Sequence, residues 1–219
     1  MKQYFEILKK VPLFAGILDE DIFDLLTCLN ARVRAYSKGE AVFLTGEPAG
    51  AVGIVCAGGV QVIKEDFMGN RTILSKLESG DLFGEAFACG QIERLPVSVL
   101  SVAGSEILFI DYSRIVTTCS SACVFHSRLI ENMLGVLASK NVMLNQKIEV
   151  LSKRSTREKL IAYLSAQAQK AGSNSFIIPF NRQELADYLC VDRSAMSNEL
   201  GKLRDEGVLS FEKSRFALL

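Results

Sequence analysis

The chain has 219 residues, equal numbers of basic and acidic side chains (25 each) and 49% hydrophobic residues. That composition excludes a disordered polyelectrolyte and supplies a core for two modest domains or one large one. Zero net charge gives no global field for nucleic acid, and no stretch approaches the roughly 18 consecutive apolar residues that a membrane-spanning helix needs.

The charge is unevenly spread. Residues 1–149 carry 14 Lys and Arg against 17 Asp and Glu, whereas residues 150–219 carry 11 against 8. An acidic front and a basic tail point to two jobs, the second facing phosphates. Cys28, Cys56, Cys89, Cys119, Cys123 and Cys190 form no CxxC pair, so no disulfide framework is expected. Lys9 and Lys10 fall where a secretory apolar run would lie, and the expectation is a cytoplasmic protein.

In chain order, "LDEDIFDLLTCL" predicts a helix with Ile22, Leu25, Leu26 and Leu29 on one face. From Ala31 to Ile110 the period changes to short β-branched runs: "AVFL", "AVGIVCAG", "VQVIKE", "RTILSKL", "VSVLSV" and "EILFI". Glycine-bearing turns separate them and "MGNR" reads as a hairpin tip, which together predict an all-β sandwich or barrel. A long helix over about 113–151 follows. Ile130, Met133, Leu137, Asn141, Leu144, Ile148 and Leu151 form a coiled-coil-like seam, with Leu129, Val136 and Met143 beside it. Two apolar stripes mean either two neighbours, the chain's own β domain and a partner chain, or one wide core face.

The last third reads as a helix closed by Gly172, a short strand in "SNSFIIPF", two helices broken at "CVD", and a closing hairpin. Asn181 and Asp192 are natural N-caps. Leu185, Ala186 and Leu189 back the first helix; Met196, Leu200 and Leu203 back the second. Arg193, Ser194, Ser197, Asn198 and Gly201 share the opposite stripe of that second helix, which suits base edges in a major groove. The alternative is an αα-hairpin with a solvated face. Lys213 and Arg215 in the closing hairpin suit a wing on phosphate.

With "KGEAVFLTGEPAG", "GDLFGE" and "RQELADYLCVDRSAMSNELGKLRDEGVL" in that order, nearly the whole chain resembles the CRP/FNR family of bacterial transcription regulators. The resemblance implies an α+β chain with an N-terminal double-stranded β-helix (β-roll, jelly-roll) and dimerisation helix over 1–151. A winged helix-turn-helix over 152–219 would complete it. It also implies a homodimer on a palindromic double-stranded operator, with RNA polymerase a partner if the protein activates. The expected DNA contacts are Arg182, Gln183, Arg193, Ser194, Ser197, Asn198, Lys213 and Arg215. Two departures stand out. Cys190 sits where the family's turn usually has Gly, and "SAMSN" replaces the frequent Glu-x-x-Ser-Arg pattern, so that Asn198 suits adenine.

In cyclic-nucleotide-binding members the cassette runs Gly-Glu and, ten residues on, Arg-Ser. Gly84, Glu85 and Ala86 match its start, but Leu95 and Pro96 stand where Arg and Ser would be, with Arg94 one residue early. Asn141 and Asn145 are the polar groups the long helix offers to a ligand. The expected pocket is apolar and without a phosphate clamp; a collapsed roll with no ligand is the alternative. Residues 1–27 contain no cysteine, so no iron–sulfur cluster of the family's oxygen-sensing kind is expected. Cys119, Cys123 and His126 are too few for a metal site, and structural thiols are the simpler reading. No nucleophile–base constellation points to an enzyme. The competing functional classes are a cyclic-nucleotide-binding module acting on a protein partner and a thiol or metal redox sensor.

Overall fold

The computed structural model describes residues 2–117 and 124–219. They form two compact units, Met1–Asp66 with Leu74–Asn141 and Phe67–Ile73 with Val142–Leu219.

The first unit opens with two short helices, α1 (Phe5–Leu8) and α2 (Ile22–Cys28), whose apolar positions Leu8, Ile22, Leu25, Leu26 and Leu29 are buried as their spacing requires. Eight strands follow: β1 (Arg32–Tyr36), β2 (Ala41–Phe43), β3 (Ala51–Ala57), β4 (Gly59–Glu65), β5 (Arg71–Glu78), β6 (Leu82–Phe83), β7 (Ser98–Ser101) and β8 (Ser105–Asp111). They make two four-stranded sheets, ordered β1-β8-β3-β6 and β2-β7-β4-β5. Helix α3 (Glu85–Cys89) interrupts the strands after β6, and α4 (Tyr112–Val116) follows β8.

The sandwich interior draws Val42, Val60 and Val99 from one sheet and Val55, Phe83 and Ile107 from the other. The opposite face of β3 and β8, with Val52, Ile54, Cys56, Leu108 and Ile110, packs on the N-terminal helices. Strand β3 is therefore covered on both faces, which is why "AVGIVCA" is apolar throughout rather than alternating. Gly53 within it is obligatory: a Cβ there would lie 2.2 Å from the Phe83 ring. Strand β1, "RVRAY", went unforeseen because Arg32 and Arg34 are exposed on a sheet edge, where charge discourages pairing with another chain.

The expected helix over 113–151 is corrected. Helix α4 ends at Val116, with Thr117 extended at φ −89° and ψ 120°, and α5 runs Val124–Leu151. Asp111 caps α4 by accepting from the Ser113 amide at 3.0 Å. Within the first unit, Asn132 of α5 donates to the Leu13 and Ala15 carbonyls at 2.9 and 2.8 Å, and Leu129, Met133 and Val136 are buried. Met133 was expected on the partner-facing seam and is instead part of the chain's own core. Its neighbour Leu134, 64% exposed, takes the outward place. The boundary expected at residue 151 marks the end of α5, but the compact units divide within that helix.

The second unit contains α6 (Thr156–Ala171), β9 (Ser175–Ile177), α7 (Arg182–Leu189), α8 (Arg193–Asp205), β10 (Leu209–Glu212) and β11 (Arg215–Leu218), with its sheet ordered β10-β11-β9. Ser155 with Glu158 and Asn181 with Glu184 form capping boxes at α6 and α7. Gly172 ends α6 in the left-handed region. Lys147, on the segment of α5 in this unit, donates to the Ile73 carbonyl at 2.7 Å and lies 3.9 Å from the Tyr188 ring centroid. Burial pushes its ammonium pKa down to about 8.

Candidate functional site

Gly84 enters α3 at φ +83°, and a Cβ there would meet the Ala51 carbonyl at 2.7 Å, so glycine is required. This turn drives Glu85 inward; the residue is 3% exposed. Its Oε1 accepts from Lys140 Nζ at 2.7 Å, and the same ammonium donates to the Leu82 carbonyl at 2.6 Å. Lys140 thus provides the counter-charge that burial of a carboxylate demands. Glu85 Oε2 is buried and, among the described residues, has no hydrogen-bond partner. Nothing in the sequence marked Lys140, because its partner lies 55 positions away and only the fold brings α5 to α3.

The other expected effector residues differ in exposure. The segment at Leu95 pairs with the 46–48 turn, its amide donating to the Glu47 carbonyl at 2.8 Å. Leu95 is consequently buried, while Arg94 and Pro96 are exposed by the alternation of an extended chain. Arg94 donates to the Gly46 carbonyl at 2.8 Å. Arg94 thus faces away from Leu95, as its place one residue early implies, and Pro96 is on the same exposed side. Ala86 is exposed, as are Asn141 and Asn145 on α5. His126, 2% exposed, sets Nε2 at 3.1 Å from the Arg114 carbonyl. Cys119 and Cys123 lie outside the described residues, and among those described no cluster of metal ligands occurs.

The second unit contains the expected DNA residues on α7, α8 and the closing hairpin. Asn181 accepts from the Glu184 amide at 3.0 Å and Asp192 from the Ala195 amide at 2.8 Å, fixing where both helices start. Leu185, Ala186, Leu189, Met196, Leu200 and Leu203 are buried at the back. Arg193, Ser194, Ser197 and Asn198 are exposed along the front of α8. Two of these are internally engaged: Ser194 donates to Asp192 Oδ1, and Ser197 donates to the Arg193 carbonyl at 2.9 Å. These bonds hold the hydroxyl hydrogens inward and leave oxygen lone pairs outward. Gln183 donates to Asp187 at 2.8 Å. Lys213 and Arg215 are at the tip of the β10–β11 hairpin, and Arg182 begins α7.

A β-roll with an inward carboxylate and a capped helix pair presenting a polar stripe beside a β-hairpin define a DNA-binding transcription regulator. Comparison with known proteins agrees. Residues 33–121 match the cyclic nucleotide-binding domain and residues 158–219 the Crp-like helix-turn-helix domain. The chain belongs to the CRP/FNR family. It is 26% identical over 205 residues to the cyclic AMP receptor protein of Thermus thermophilus, covering 92% of this chain and 89% of that one. Its fold resembles the c-di-GMP-responsive global regulator CLP of Xanthomonas campestris (TM-score 0.72, 21% identity, 91% of this chain and 98% of the other). It also resembles FixK2 of Bradyrhizobium japonicum (TM-score 0.67, 20% identity, 86% and 92%).

The turn between α7 and α8 holds Cys190 at φ 52° and ψ 56°, in the left-handed region where the resemblance had put glycine. A β-carbon costs about 1–2 kcal/mol there, and glycine's greater unfolded-state entropy offsets part of the gain from removing it. Cys190→Gly should therefore raise stability by about 0.5–1 kcal/mol, read as an increased midpoint in urea at unchanged m-value.

Proposed function

We propose that the protein is a cytoplasmic, homodimeric regulator that binds a palindromic operator and responds through its β-roll to a small organic effector other than cyclic AMP. The observation that carries the DNA reading is the polar front of α8 on a fully buried apolar back. Such a helix is held rigidly while Ser194, Ser197 and Asn198 reach base edges. Arg193 and the wing cations Lys213 and Arg215 supply sequence-independent phosphate contacts. RNA polymerase is the further partner if the protein activates.

Support for the homodimer comes from α5. Leu134, Met143, Leu144 and Ile148 are 64%, 60%, 58% and 63% exposed, and Ile130 is 36% exposed. A second copy of the same helix covers such a stripe symmetrically, and two-fold symmetry suits a palindrome. Leu144→Glu with Ile148→Glu, at positions outside the chain's own core, should give a folded monomer in sedimentation velocity. A dimer that survives both changes refutes the seam.

For base reading, Asn198→Ala should weaken the selected operator by about 1–3 kcal/mol and relax preference at one position of each half-site. Arg193→Ala should weaken all sequences alike and flatten the salt dependence. An unchanged site logo for Asn198→Ala removes that residue from base readout.

The effector reading rests on charge. Among the described residues the cation bonded to Glu85 is Lys140, and that pair carries no net charge. Arg94 is committed to a backbone carbonyl on the surface, and Leu95 contributes no charge. Enclosing a cyclic phosphate without a free cation forfeits charge-assisted hydrogen bonds of about 1.5–3 kcal/mol each, roughly a hundredfold or more in affinity for two. The Thermus thermophilus relative's name, a cyclic AMP receptor protein, favours the opposite reading. Calorimetric titration separates them: no micromolar binding of cyclic AMP is expected, and binding that raises operator affinity overturns the proposal.

A further inference from the structure

Three aromatic rings form a row across the sheet of the DNA-binding unit. Phe211 of β10 is directly opposite Phe216 of β11, and Phe216 is directly opposite Phe176 of β9. Cross-strand partners share a face. The ring centroids confirm the row, at 5.8 Å for Phe211–Phe216 and 6.3 Å for Phe216–Phe176, the latter pair within 16° of coplanar. Onto this row is laid the guanidinium of Arg182, 4.7 Å from the Phe211 centroid and 5.0 Å from that of Phe216.

Arg182 is the first residue of α7, directly after the capping Asn181. A cation at a helix N-terminus faces the positive end of the dipole and is disfavoured there. Its burial among the rings lowers its pKa, as desolvation of a cation must. Two unfavourable contributions therefore act on this side chain, and the two ring faces are the favourable contacts that offset them. A free phosphate-binding arginine extends into solvent; this one is half-buried.

The wing's tip is pinned separately. Ser214 donates to the Phe180 carbonyl at 3.2 Å, and its own carbonyl accepts from the Ile178 amide at 2.9 Å. Those bonds fix the turn, and pairing with β9 fixes β11, whereas β10 is an edge strand with β11 as its one strand neighbour. The planar guanidinium lies against Phe211 and Phe216, one from each strand, and so ties the edge strand of the wing to β11 and to α7.

We propose that Arg182 is a positioning residue for the wing: its guanidinium, spanning Phe211 and Phe216, sets where Lys213 and Arg215 meet the DNA backbone. This rests on the DNA-binding reading above and replaces the role expected for Arg182, a direct DNA contact. Lysine cannot substitute, since an ammonium has no planar face to span two rings.

The test uses the full-length protein and its selected operator, measuring affinity across a salt series. Arg182→Lys and Phe211→Leu both preserve net charge. Each should lower affinity about tenfold and flatten the slope of log K against log salt by about one or more, because the wing's cations leave the phosphates. Phe211→Tyr, which keeps the ring, should restore both quantities, and the double variant Arg182→Lys/Phe211→Leu should be no weaker than the worse single one. Thermal melts monitored by circular dichroism identify any variant that has simply unfolded; if Phe211→Leu is one, Arg182→Lys carries the test, with Phe211→Tyr as the ring-preserving control. Wild-type affinity and slope for Arg182→Lys overturn the proposal and leave Arg182 as a point charge. Failure of the wild-type protein to bind any DNA sinks the functional reading instead, so the two failures are distinct.

Discussion

Helix α5 has more apolar surface than its own roll covers, and the organisation of the chain follows from that excess. One face, Leu129, Met133 and Val136, is buried in the first unit. Another, from Ile130 and Leu134 through Leu144 to Ile148, is exposed over most of the helix length. At 28 residues the helix extends about 42 Å at 1.5 Å per residue, and its last ten residues belong to the second compact unit. The helix therefore contributes residues to both units while an apolar stripe along it stays exposed.

Beside that helix a charge is buried, and under the proposed effector reading it constrains the ligand. Glu85 is enclosed by the turn at Gly84 and balanced by Lys140, so a ligand reaching the carboxylate meets an ion pair rather than a free acceptor. The unpaired Oε2 leaves room for one hydrogen-bond donor. Separating the pair would expose an uncompensated buried charge, which costs several kcal/mol in a low-dielectric interior.

The DNA-binding unit shows how side chains of one chemical type serve separate ends. Arg193 is exposed on the reading helix, whereas Arg182 is folded against the wing's rings. Among the hydroxyls, Ser194 and Ser197 are oriented by bonds within α8 and its cap, before any base is present. Preorganisation of this kind lowers the ordering cost of binding. The left-handed Cys190 is the opposite case, a locally strained residue tolerated because the helices on either side are capped and buried.

The sequence by itself determined the order of the parts: strand runs between glycine turns, a long helix, and a capped helix pair with a polar stripe. It also determined which face of α7 and α8 is buried, because Asn181, Asp192 and the 3.6-residue period fix the helices locally. Local signals of that kind need no partner elsewhere in the chain. The tertiary structure alone decided matters of pairing. Whether Met133 or Leu134 faces outward depended on where the roll docks on α5, since adjacent residues satisfy the same heptad pattern. Arg94 and Pro96 turned outward because the segment at Leu95 pairs with the 46–48 turn. Lys140 joined Glu85, and Arg182 joined Phe211 and Phe216, through contacts between residues 29 to 55 positions apart. Such contacts leave no period or spacing in a sequence, because the chain between the partners is free to vary so long as the fold closes them.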